Sequence, residues 1–137
     1  MPQSSLYERV GGLSFFELLV DRFYVGVEAD DVLLPLYPDK HDLAPARRRL
    51  ALFLVQYWGG PTTYLQERGH PRLRARHAPY IIGTLERDRW LLHMREAIDA
   101  SDAGSLERQE LHAYMVLAAD AMVNVQTLPE PAQGAGL

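Results

Sequence analysis

Residues 68–80 read Arg68-Gly69-His70-Pro71-Arg72-Leu73-Arg74-Ala75-Arg76-His77-Ala78-Pro79-Tyr80. Gly69 ends what precedes it, Pro71 restarts the chain and Pro79 stops it again, so the spacing predicts a short helix over Arg72 to Ala78. His77 follows Leu73 by four and shares its face, with Arg72, Arg74 and Arg76 around it. A histidine late in such a helix can ligate iron through one ring nitrogen while the other bonds a backbone carbonyl. A surface histidine in an arginine-rich loop is the plainer reading of the same residues. The wider segment, Gly59 to Gly83, is roughly 25 residues long and holds one further short helix, Thr62 to Arg68. Compact helical domains use much shorter connections, so something should hold this middle down, and a bound group is the first candidate.

Outside that segment the chain reads as helices, with no convincing series of strands. A turn or two at Ser4 to Val10 ends at Gly11-Gly12, since glycine tolerates the positive φ of a helix C-terminus. Ser14 with Glu17 suggests the start of a longer helix with a capping box. Phe16, Val20, Phe23, Tyr24 and Val27 share its inner face. Asp30-Asp31 closes it, and Pro35 and Pro38 make a corner of Leu33 to Asp39. Asp42 is the expected N-cap of the next helix, with Pro45 in its first turn. Its inner face is Ala46, Leu50, Phe53, Leu54 and Tyr57, and Gly59-Gly60-Pro61 stops it. Thr84 to about Ala100 carries Trp90, Leu91, Met94, Ala97 and Ile98 inward. Ser105 is expected to cap the last helix, with Leu111, Tyr114, Met115, Ala118 and Met122 in line. The expectation is one all-α domain over residues 1–128 and a flexible tail over 129–137.

The bulk properties agree. The chain has 137 residues, 47% hydrophobic and 23% charged. That is one core's worth, with roughly two-thirds of the unfolded surface buried on folding. Net charge is −4, which argues against a nucleic-acid partner. There is no cysteine, which excludes disulfides, thiolate metal sites and a cysteine nucleophile. The uncharged stretch Leu50 to Tyr57 is far too short to span a bilayer, so no membrane insertion is expected. No basic-then-apolar leader opens the sequence, which makes the cytoplasm the expected location.

Two other constellations bear on function. Tyr24, Tyr37 and Trp90 are polar aromatics at inward or corner positions, and buried tyrosine and tryptophan need partners for O–H and N–H. Each alone reads as core packing; three converging on one cavity would form a set of hydrogen-bond donors. The 14 basic residues include a single lysine, Lys40. Arginine suits bidentate pairing with carboxylates, although a solvated helix face explains the same residues. Of the five histidines, no two lie three or four apart, so there is no helical zinc pair. A helical interaction module with no bound group remains the alternative reading.

Taken together, the residues resemble the group II, O-type truncated haemoglobins of bacteria. The match covers about residues 4 to 126. It rests on Gly11-Gly12, Arg22-Phe23-Tyr24, Tyr37-Pro38, Phe53-Leu54, Gln56-Tyr57-Trp58-Gly59-Gly60-Pro61, residues 68–74, His77-Ala78-Pro79-Tyr80, and Glu86-Arg87-Asp88 before Trp90. The resemblance implies a globin-like, two-over-two helical sandwich around haem b. His77 falls on the proximal iron ligand. Tyr24, Tyr37 and Trp90 fall on the distal side, where dioxygen and other small gases bind. Ala46 falls where larger globins often carry a distal histidine. Arg49, Tyr64 and Arg76 match positions that reach the haem propionates; Phe53, Leu54, Leu73, Tyr80 and Ile82 match haem-packing positions. Lys40-His41-Asp42 carries one residue more than the family pattern, which leaves the register of Ala46 and Leu50 and the orientation of His41 open. The implied roles are oxygen handling or detoxification of nitric oxide or peroxide, with peroxidase-like or dioxygenase-like turnover if a reductase of unidentified kind supplies electrons. A homodimer is compatible with all of this.

Overall fold

The turn at Gly11-Gly12 sets how the chain enters its first long helix. The computed structural model describes residues 4–125, so the end of the expected domain and the tail expected at 129–137 lie outside the described residues. Helix α1 spans Leu6–Val10, and Gly11 and Gly12 follow with φ of +105° and +80°. The chain then enters α2, Leu13–Glu28, with Gly12 as its N-cap. Ser14 is therefore already inside the helix and caps nothing, because the left-handed turn at Gly12 starts α2 sooner than the serine. The capping box belongs to α1 instead: Glu8 N donates to Ser5 Oγ at 3.2 Å and Ser5 N to Glu8 Oε1 at 3.2 Å.

A single 3-10 turn, Leu34–Leu36, forms the corner, and α3 runs Ala44–Tyr57 with Pro45 in its first turn. Leu43 is the N-cap; Asp42 acts one residue earlier, its Oδ1 accepting from Ala44 N at 3.1 Å. Two short helices follow, α4 at Thr63–Arg68 and α5 at Leu73–His77. Helix α6 spans Thr84–Asp99, opened by Glu86 accepting from Gly83 N at 2.8 Å. Helix α7 spans Ser105–Met122 with Gly104 as N-cap, so Ser105 is its first residue and not its cap. The described residues contain seven α-helices and no strand. No described helix is long and apolar enough to cross a membrane.

The layers follow from the apolar faces. Helix α2 packs against α3 and α6, and α6 packs against α7, giving two helix pairs stacked face to face. Phe16, Leu19, Val20, Phe23 and Val27 of α2 are fully buried, as are Met94 and Ile98 of α6 and Leu111 and Met115 of α7. Each such side chain contributes roughly 1.5–3 kcal/mol of burial. Tyr57 departs from the expected inner face: it is 51% exposed and stacks on Tyr114 with ring centroids 4.0 Å apart. It lies at the last turn of α3, where that face has left the core. The chain then reverses at Gly59, whose φ of +98° suits glycine.

One polar knot lies inside this apolar frame. Asp30, just past α2, is buried. Its Oδ1 accepts from the amides of Val32 at 2.8 Å and Leu33 at 3.2 Å and from Arg89 at 3.2 Å. Its Oδ2 accepts from His93 Nε2 at 2.6 Å. The knot joins the corner to α6. Burial opposes the charge, but these hydrogen bonds outweigh it and hold the carboxyl at about 2, below the usual 3.8. Gly26 makes room for the knot, because a Cβ there would sit 2.4 Å from His93 Nδ1.

Two outcomes follow for stability. The Asp30 carboxyl titrates lower in the folded chain than in the unfolded one. Its contribution, about 2 kcal/mol, is therefore complete above about pH 4 and lost as pH falls toward 2. Urea unfolding from pH 6 to pH 2 should show Asp30→Asn losing most against wild type at the high end and converging with it in acid. A constant gap would refute the assignment. Gly26→Ala should cost roughly 1–3 kcal/mol through overpacking against His93; a midpoint equal to wild type in the same assay would show that the ring moves away freely.

Candidate functional site

The site begins with a helix too short to be stable alone. Helix α5 has five residues, and isolated helices of that length do not hold in water. It starts from Arg72, the one described non-glycine residue with positive φ, at 42°, a conformation that costs an L-residue energy. The turn before it is held by Arg76, whose Nε donates to Pro71 O at 2.6 Å and whose Nη2 donates to Arg68 O at 2.7 Å and His70 O at 3.2 Å. Arg76 thus ties the loop to the helix that leaves it, a role that its place in an arginine cluster does not reveal.

His77 ends α5. Its Nδ1 lies 2.6 Å from Leu73 O. A carbonyl only accepts, so Nδ1 carries the proton and Nε2 keeps its lone pair. The residue lines a cavity of about 340 Å³ between the helix layers. The residues that the resemblance placed at the site all line that same cavity: Tyr24, Tyr37 and Trp90; Arg49, Tyr64 and Arg76; Phe53, Leu54, Leu73, Tyr80 and Ile82; and His77. Ala46 and Leu50 line it too. His41 is exposed and is not among the lining residues.

The polar aromatics form one cluster. The rings of Tyr24 and Tyr37 lie 5.7 Å apart at 72°, and Phe23 bridges Tyr24 and Trp90 at 5.0 and 5.1 Å. Burial pushes the Tyr24 hydroxyl above its ordinary value, against the pull of the Tyr37 hydroxyl and of Arg49 and Arg47. Burial also pushes Tyr37 well up, and Tyr24 adds to it while Arg49 opposes. Both phenols therefore stay protonated at any physiological pH and keep an O–H to donate.

At the rim, Tyr64 is buried, with the guanidinium groups of Arg68 and Arg76 6.0 and 5.9 Å from its ring centre. Such placement suits cation–π attraction. Arg49 is exposed and lines both the cavity and a shallower pocket beside it.

Sequence reasoning missed part of the lining. Leu33 and Leu36 come from the corner, and Met115, Ala118, Ala119 and Met122 from α7. The α7 pattern was visible as an apolar face, but periodicity does not distinguish a face against a neighbouring helix from a face against a cavity.

The residue set discriminates among possible guests. Among the described residues no three His, Cys, Asp or Glu side chains gather to hold a bare metal ion. A single imidazole with a free Nε2 suits a metal that brings its own equatorial ligands. Mostly apolar walls suit a macrocycle, and rim arginines suit its carboxylates. The residues present fit haem.

The chain's relatives point the same way. The family model for bacterial-like globins matches residues 5–124. Group 2 truncated hemoglobin YjbI of Bacillus subtilis is 40% identical over 118 residues, covering 86% of this chain and 87% of that protein. Among solved structures, the hemoglobin of Thermobifida fusca superposes with a TM-score of 0.86 at 58% identity, covering 89% of this chain and 98% of that one. The group II truncated hemoglobin of Bacillus anthracis superposes with a TM-score of 0.88 at 36% identity, covering 95% and 98%. With the family model matched over residues 5–124 and a group 2 relative 40% identical over most of both chains, the chain belongs to the bacterial-like globin family, as a group II truncated haemoglobin.

Proposed function

We propose that the cavity holds haem b with His77 Nε2 as its protein ligand, and that the loaded protein binds dioxygen on the side lined by Tyr24, Tyr37 and Trp90. Haem-based binding of small gases goes with the family, and the solved neighbour from Bacillus subtilis is described as an oxygen-avid truncated haemoglobin. The observation that carries the reading is the contact of His77 Nδ1 with Leu73 O: Nδ1 donates to the carbonyl, so the neutral imidazole keeps its lone pair on Nε2, in a residue that lines a mostly apolar cavity.

When bound, haem supplies an iron centre at which a small diatomic molecule can be held reversibly. The chain does the rest. Leu73 O orients the imidazole and raises its basicity. Phe53, Leu54, Leu73, Tyr80 and Ile82, which line the cavity, would pack against the macrocycle and exclude water. Arg49 would pair with a propionate; Arg76, three of whose N–H groups are spent on loop carbonyls, would have only Nη1 for the second, next to Tyr64. The Tyr24 and Tyr37 hydroxyls and the Trp90 indole N–H would offer donors to a polar ligand held in the same cavity. A donor cluster of that kind favours dioxygen over the less polar carbon monoxide, so oxygen handling is the role that the geometry supports best.

The histidine assignment is checked directly. The purified protein should be red with a Soret band, whereas a haem-free module would be colourless. His77→Gly should lose haem or hold it weakly, and added imidazole should restore it, while His70→Ala and His93→Ala leave the iron ligand intact. An iron–histidine Raman band surviving in His77→Gly would sink the assignment.

The donor cluster is checked by oxygen release. A hydrogen bond to a charged group contributes roughly 1.5–3 kcal/mol, so Tyr24→Phe and Trp90→Phe should each speed dissociation about 10- to 150-fold, if the whole effect falls on the off-rate. Carbon monoxide release should change much less. Stopped-flow rates within twofold of wild type for both variants would leave these aromatics as packing alone.

A further inference from the structure

Helix α5 is tied at its start by Arg76; at its end, His77 Nδ1 bonds Leu73 O and His77 O accepts from Tyr80 N at 3.0 Å, but these bonds stay within residues 73–80 and do not anchor them to the rest of the fold. The last carbonyls of a helix lack partners within it, and residues 78–83 beyond His77 are irregular. The tie comes from Asn124, two residues past the end of α7. Its Nδ2 donates to Tyr80 O at 2.8 Å and to His77 O at 3.2 Å, and its Oδ1 accepts from Ile82 N at 2.9 Å. The main chain repeats the link, with Asn124 N and Val125 N donating to Ile82 O at 2.9 and 3.2 Å. Two carbonyls on one side and an amide on the other fix which end of the side chain is oxygen.

We infer that Asn124 is a positioning residue for the proximal histidine, an inference that rests on His77 being the iron ligand. The side-chain chemistry is specific. Only a primary amide carries two donors and an acceptor in one plane. Asparagine reaches three backbone groups of the 77–82 segment at once, and that segment carries His77, Tyr80 and Ile82 into the cavity. Aspartate would keep the acceptor for Ile82 N but turn a charged oxygen toward two carbonyls. The end of α7 is thereby coupled to the orientation of the imidazole, through the peptide of the ligating residue itself. Neither its position in the sequence nor its exposed side chain marks Asn124 as part of the site.

The test compares haem-loaded Asn124→Asp and Asn124→Ala with haem-loaded wild type and with His77→Gly after addition of haem. The readouts are the iron–histidine Raman band of the ferrous, ligand-free form, haem transfer to an acceptor protein, and helical content by circular dichroism. Both Asn124 variants should keep wild-type helicity, shift and broaden the band, and release haem about tenfold faster. If the band is lost in His77→Gly but stands unmoved in both Asn124 variants, the residue merely supports the fold and the inference fails alone. If the band survives in His77→Gly, the histidine assignment itself has failed. Should Asn124→Ala unfold, Asn124→Asp carries the comparison; unfolding of both marks Asn124 as structural and overturns the inference.

Discussion

The structure turns on a single contact, the 2.6 Å approach of His77 Nδ1 to Leu73 O. It assigns the imidazole proton and thereby determines which nitrogen the cavity can use. A helix of five residues cannot maintain that contact by its own hydrogen bonding. The surroundings hold it: Arg76 closes the turn ahead of α5, Asn124 grips the segment behind it, and the two layers of long helices supply the walls. The long irregular middle is thus tied down at several points by side chains as well as by what the cavity binds.

The opposite side is organised by a different element. Asp30 bonds the amides of Val32 and Leu33 at the head of the corner, and that corner carries Leu33, Leu36 and Tyr37 to the cavity wall. The same carboxylate bonds Arg89 and His93, which flank Trp90 on α6. One buried charge therefore sets the Tyr37 segment against the Trp90 helix. Burying an isolated carboxylate is costly, and four hydrogen bonds make it tolerable here. The tyrosines gain from the same burial, since low polarity keeps their protons in place.

Surface ion pairs play a smaller part. Arg9 reaches Glu107 and Glu110 between α1 and α7, Arg47 reaches Asp21 and Glu28 between α3 and α2, and Arg87 reaches Asp120 between α6 and α7. Exposed pairs contribute about 0–1 kcal/mol each. Their value lies in agreeing with a layer order that the buried faces of α2, α6 and α7 already impose.

Much of this was written in local sequence. The apolar spacing of Phe16, Val20, Phe23 and Val27, the stops at Gly11-Gly12 and Gly59-Gly60-Pro61, and the i to i+4 relation of Leu73 and His77 each follow from helical periodicity and backbone sterics, which act over a few residues. The twelve residues that the resemblance marked all line one cavity. Local signals failed where two explanations share one pattern. Ser14 and Ser105 looked like caps because serine before an apolar run is a common start, yet the backbone turned at Gly12 and Gly104 instead. Ser5-x-x-Glu8 held the same motif in a helix too short to attract notice. What only the tertiary structure decided are the contacts between residues far apart in the chain: Asp30 with His93, Gly26 beneath the same ring, and Asn124 with the peptides of His77, Tyr80 and Ile82. Such pairings have no periodicity to read, because they depend on where helices cross, and that is set by the packing of whole faces against one another.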